Sequence, residues 1–151
     1  MSVPSVKHAT FTLERDYPAP PARVFAMWAD PAAKARWFAG PEAEHELDFR
    51  VGGHETSRGR NSDGRVLTFE SVYSEIVPDT RIVYTSGLYA EETLATASLT
   101  TVQFAPTDEG TRLVVTEQGS YLDGHEKPAW REQGAGGQLA ALDAEVRAAA
   151  R

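Results

Sequence analysis

The sequence predicts an α+β fold, with a curved antiparallel sheet of about seven strands, two short helices and a long C-terminal helix. Three observations carry this. The stretch from Pro18 to Phe38, PAPPARVFAMWADPAAKARWF, runs from a strand-like segment through prolines into two short amphipathic helices. Six strand-like segments follow, separated by short turns of the kind that join antiparallel neighbours. The chain closes on one long helical segment, the only long element left to cover the sheet's apolar face.

Residues 1–7 read as a frayed tail. His8–Tyr17 alternates, with Phe11 and Leu13 on one face, and reads as the first strand. Pro20 and Pro21 suit a first helical turn, where a missing N–H costs nothing. Val24, Phe25 and Trp28 share one apolar face of a helix over 20–29. Asp30-Pro31 ends that helix and caps a second over 31–38, because the residue before a proline avoids helical geometry. Glu46–Phe49 reads as a short strand and Gly52-Gly53 as a turn or bulge. His54–Arg60 and Val66–Val77 flank the hairpin turn Asn61-Ser62-Asp63-Gly64. Pro78-Asp79 leads into Arg81–Leu88, Ala90–Thr93 into Leu94–Phe104, and Pro106–Gly110 into Thr111–Gly119. Residues 120–127 read as a loop and about 128–149 as the last helix. No internal repeat is visible, and 1–151 reads as a single domain.

Composition narrows the function classes. The chain is 41% hydrophobic and 25% charged, ordinary values for a globular domain. No apolar run approaches the length of a membrane span. The N-terminal MSVPSVKH lacks a hydrophobic signal core, so a cytoplasmic location is expected. With no cysteine, disulfide and thiol chemistry are excluded. The net charge of −7 disfavours nucleic acid as a partner. The densest basic run, Arg58, Arg60 and Arg65, is interrupted by Asp63 and reads as a solvated hairpin. His8, His45, His54 and His125 lack the spacing of a zinc site, so no metal is expected. No G-x-S-x-G elbow, G-x-G-x-x-G fingerprint or phosphate loop is present, so motifs assign no catalytic residue and no cofactor.

Weak signatures spread in order over residues 8–146 carry more information. They are Pro20–Phe38, Arg50-Val51-Gly52-Gly53, the Gly64 turn, Ile76-Val77-Pro78-Asp79 with Arg81-Ile82-Val83-Tyr84-Thr85, and Gly110-Thr111-Arg112-Leu113. Together they resemble the activator-of-Hsp90-ATPase-homologue-like branch of the START/Bet v 1 (helix-grip) superfamily. The resemblance implies a sheet gripping the last helix around a ligand cavity, typically roughly 300–1,000 Å³ for such pockets. Strand alternation then selects the walls. Tyr84 follows Ile82 on an inward-reading face, Phe69 and Tyr73 share another, Val102 and Phe104 a third, and Leu113 and Val115 a fourth. With Trp37 and Leu139, these are the expected lining residues.

Polar candidates are few. Glu117 continues the inward face of Leu113 and Val115, and an inward carboxylate needs a partner or a proton. Relatives in the resembled family tend to be apolar where His54, Thr56 and Arg58 lie. If that face is inward, Arg58 can meet Glu117 as a buried ion pair and anchor a ligand; the alternative is a solvated face. Gly134, Gly136 and Gly137 lie inside the last helix, where each costs about 1 kcal/mol against alanine. Relatives often carry tryptophan at the position of Gly137. Room for a ligand, close packing or a kink are the readings that remain.

The resemblance therefore implies binding of a small apolar or amphipathic molecule. One alternative is an enzyme of the polyketide-cyclase kind, in which Glu117, Arg58 or Tyr84 moves protons. Another is an Hsp90 co-chaperone, disfavoured because the co-chaperone implied by the family name has an additional N-terminal domain. A homodimer is expected from Trp130 beside Pro128, with Tyr121 and Leu122 in the preceding loop.

Overall fold

The computed structural model describes residues 4–149; Met1–Val3 of the expected tail lie outside the described residues. Strand β1 (Val6–Tyr17) leads into α1 (Pro21–Ala29) and α2 (Pro31–Lys34), which continues into one π-type turn, Ala35–Ala39. There follow β2 (Glu44–Leu47), β3 (His54–Arg60), β4 (Val66–Val77), β5 (Arg81–Ala90), β6 (Thr93–Thr107), β7 (Gly110–Leu122) and α3 (Pro128–Ala149). The seven strands form one sheet in the order β1-β7-β6-β5-β4-β3-β2. Every neighbouring pair is antiparallel. This is the predicted α+β helix-grip arrangement.

Local chemistry explains the helical insertion. Pro21 occupies the first turn of α1, and the Asp30 carboxylate accepts from the Ala33 N–H at 2.9 Å to cap α2. The π-type turn accommodates an extra residue per turn. Lys34, the last residue of α2, and Trp37 within the turn are both buried, at 0% and 3% exposure. The Trp37 indole donates to the Met27 carbonyl at 2.8 Å and meets Trp28 edge-on, with centroids 4.7 Å apart. Across the gap α3 buries Leu139, Leu142 and Val146. The Tyr17 hydroxyl donates to the Leu139 carbonyl at 2.9 Å and ties α3 to β1.

Gly53 shows why the double glycine is there. A side chain on it would overlap the Asp48 carbonyl oxygen, and Gly52 has φ +81°. The Gly52 N–H then donates to the Tyr73 carbonyl at 2.8 Å, and the Tyr73 N–H to the Gly53 carbonyl at 3.1 Å. These bonds fix the register of β3 on β4.

Several boundaries differ from the sequence reading. β2 starts at Glu44, ahead of the expected Glu46, because Glu44–Leu47 pairs with Glu55–Arg58. β7 continues to Leu122, because its last residues pair with Val6–Ala9 of β1. Tyr121, expected in a loop, is consequently buried on the sheet's inner face.

Candidate functional site

A polar row crosses the concave face. Tyr73, Tyr84, Thr100 and Glu117 stand opposite one another on β4, β5, β6 and β7. All four are buried. An ionic cluster closes each end of the row.

At the β7 end, Glu117 takes a two-pronged contact from Arg131 of α3. Arg131 Nε donates to Oε2 at 2.8 Å and Nη2 to Oε1 at 3.2 Å. Thr100 Oγ1 adds a bond to Oε1 at 3.1 Å. The guanidinium also lies 5.2 Å from the Phe69 ring centroid, so it is held by charge and by an aromatic face together. At the other end, Lys34 Nζ donates to Glu55 Oε1 at 2.7 Å and to the Tyr73 hydroxyl at 3.3 Å. Tyr73 in turn donates to Glu55 Oε1 at 2.8 Å, and His45 Nε2 lies 2.8 Å from Glu55 Oε2. Five rings surround the Lys34 ammonium, those of Trp28, Trp37, Phe38, Tyr73 and Tyr84, with centroids 4.3–5.9 Å away.

Burial pulls the Lys34 pKa down, and the neighbouring Glu55 opposes it. Burial pushes Glu55 up, but the Lys34 charge and the bonds from His45, Lys34 and Tyr73 outweigh it and hold the carboxyl below the ordinary range. Burial, reinforced by the nearby carboxylates, raises both Tyr73 and Tyr84, which stay protonated donors. Burial also raises Glu126, whose Oε1 accepts from Thr96 at 2.5 Å.

Between the row and α3 lies a cavity of about 130 Å³. Trp28, Trp37, Phe38, Phe69, Tyr84, Thr100, Val115, Glu117, Glu126, Trp130, Arg131, Gly134, Ala135, Gln138 and Leu139 line it. It is smaller than the range the resemblance implies. A second space of about 210 Å³ shares Phe38, Phe69, Arg131 and Gln138 with it. Those four residues line both spaces, and Gln138 Nε2 donates to the Phe38 carbonyl at 3.0 Å. The Trp28 indole N–H is buried and meets no acceptor among the described residues.

Of the residues expected to line the cavity, Trp37, Phe69, Tyr84, Val115, Glu117 and Leu139 do so. Tyr73, Val102, Phe104 and Leu113 belong to the packed core beside it. Arg58 does not meet Glu117. It is exposed, because the inward face of β3 is the one carrying Glu55, which stands opposite inward Ser71. Gly137 is also a correction: it lies on the exposed side of α3 with open space around it. Gly137→Ala is therefore expected to raise stability by a few tenths to about 1 kcal/mol in urea unfolding, through lost freedom of the unfolded chain. A decrease would mean that the site cannot take a Cβ.

The sequence reading missed Lys34, Glu55, His45, Glu126 and Arg131. Two signals were present. Lys34 precedes Trp37 by three residues, one helical face. Arg131, Ala135, Gln138, Leu142 and Val146 recur at helical spacing on α3.

The chain matches the family described as Activator of Hsp90 ATPase homolog 1-like protein over residues 18–147. It belongs to this family. Among solved structures, a putative uncharacterized protein from Rhizobium leguminosarum shares 39% identity with a TM-score of 0.93, covering 97% of this chain and 99% of that one. The Mll3558 protein from Rhizobium loti shares 46% identity with a TM-score of 0.87, covering 93% and 99%. A protein of unknown function from Staphylococcus aureus, at 17% identity and a TM-score of 0.77, covers 96% of this chain and 97% of its own and is similar in fold alone. Comparison with curated proteins gives no match. The family and its sheet-plus-helix fold are thus shown.

Proposed function

We propose that this protein binds a small amphipathic molecule in the cavity between the sheet and α3. The observation that carries this reading is the lining of that cavity, where aromatic walls from Trp28, Trp37, Phe38 and Phe69 meet a small set of polar groups, Thr100, Glu117, Glu126 and Arg131. A cavity of about 150 Å³ accepts a benzene ring, so a single-ring molecule matches the space. A long polyketide chain does not match it, which leaves the cyclase reading less supported.

Native mass spectrometry of freshly purified protein, with titration by a neutral single-ring probe such as benzyl alcohol, tests the proposal. Saturable binding at one site is expected. Gly134 lines the cavity and has open space where a side chain would start. Gly134→Leu should fill that space, abolish binding and leave the fold intact. Neither adduct nor saturable binding in the parent protein would overturn the reading.

A homodimer is a separate proposal, and it rests on Trp130 alone, which is 54% exposed, now that Tyr121 is in the core. A light-scattering mass near 16.5 kDa at micromolar concentration would rule it out.

A further inference from the structure

The cavity holds two carboxylates and one matching cation. Glu117 is neutralised by Arg131, in bonds of 2.8 and 3.2 Å. Glu126 bonds only to the Thr96 hydroxyl and has no ion-pair partner among the described residues. The neighbouring Lys34 does not correct the imbalance, because Glu55 already takes its charge at 2.7 Å. The cavity thus carries one surplus negative charge beside the aromatic groups Trp28, Trp37, Phe38 and Trp130.

Aromatic faces attract cations, and the chain itself uses this repeatedly. Lys34 lies 4.3 Å from the Phe38 centroid, Arg131 5.2 Å from Phe69 and Lys127 5.2 Å from Trp130. The rings of Trp28, Trp37 and Phe38 already hold the Lys34 ammonium, so they favour the ring of a guest, while the surplus carboxylate favours a cationic group on it. An anion would face both carboxylates, and a neutral ring would leave Glu126 with its bond from Thr96 but no counter-charge. The volume, about 130 Å³, limits the guest to roughly one ring.

Resting on the binding function proposed above, we infer that the ligand is a single-ring amine whose ammonium group pairs with Glu126 while its ring packs among Trp28, Trp37 and Phe38. Trp130, half-exposed at the start of α3, lines the same space.

The test compares three probes of equal size and different charge: benzylamine, benzyl alcohol and benzoate. Calorimetric titration of the full chain should show benzylamine binding at least about tenfold tighter than benzyl alcohol, the scale of a charge-assisted hydrogen bond. Benzoate should not bind measurably. Glu126→Gln keeps the size of the side chain and its bond from Thr96, so the fold should be kept. It should lower benzylamine affinity to that of benzyl alcohol and leave the alcohol unchanged. Alcohol binding equal to or tighter than amine binding, with Gly134→Leu blocking both, overturns the amine assignment while the binding function stands. An amine preference that survives Glu126→Gln also overturns it, since the preference then comes from the acidic surface. If no probe binds, the amine assignment and the cavity reading fall together.

Discussion

Lys34→Met is expected to destabilise the fold by about 3–5 kcal/mol, a large part of a small domain's total stability. Lys34 and Glu55 are 0% and 1% exposed, so the substitution leaves a carboxylate in the interior with its counter-charge gone. The bonds from Tyr73 and His45 remain, but they do not replace a full positive charge. Urea unfolding followed by circular dichroism measures the loss. Adding Glu55→Gln should recover most of it, because the amide carries no charge and can still bond to Tyr73. Single variants within about 1 kcal/mol of the parent protein would show that the pair is not buried as described.

The same cluster sets an acid limb. The folded state holds Glu55 below its unfolded pKa, so near that pKa the unfolded chain binds the extra proton more readily. The stability it contributes is full above the ordinary carboxylate pKa, about 4.3, and is lost as pH falls below it. Lys34→Met should flatten that acid limb, because the charge that holds Glu55 down is gone.

Arg131→Met should cost about 2–3 kcal/mol, less than the inner pair because the Arg131 side chain is 18% exposed and Glu117 6%. Glu117 then keeps only Thr100. A double-mutant cycle with Glu117→Gln separates the pair from lost packing on Phe69. Coupling of at least about 1 kcal/mol is expected, and coupling near zero would mean that the guanidinium acts through packing alone. The substitution also changes a side chain that lines both spaces.

The comparison of sequence with structure turns on how many faces of an element are apolar. On β7, Leu113 and Val115 face inward and Glu117 follows them, so alternation located the carboxylate correctly. On β3 both faces are polar, His54-Thr56-Arg58 on one and Glu55-Ser57 on the other. A one-residue shift of register exchanges them, and nothing local distinguishes the two. The choice is made by β2 pairing and by the Gly52-Gly53 bonds to Tyr73, which are long-range. The helix partner of Glu117 was hidden differently. Alanine and glycine cover so much of α3 that its buried stripe of Leu139, Leu142 and Val146 stands out little from the rest. The strand β4, with Phe69 and Tyr73 set against exposed Glu70 and Val72, was legible to its ends.

The pairing of the first strand with the last has a consequence for biosynthesis. In the sheet β1 touches only β7, with Tyr17 opposite Thr111 and Val6 opposite Leu122. A ribosome adding about 5–20 residues per second needs on the order of 5–20 s to make the intervening chain. Throughout that interval the emerging N-terminal segment has no sheet neighbour on either side. Lys7, Glu14, Arg15 and Asp16 keep its exposed positions charged, which discourages pairing with another nascent chain. Any chain cut short before Thr111 is therefore a polypeptide that cannot complete its sheet, and such fragments should depend on chaperones or proteases for their removal.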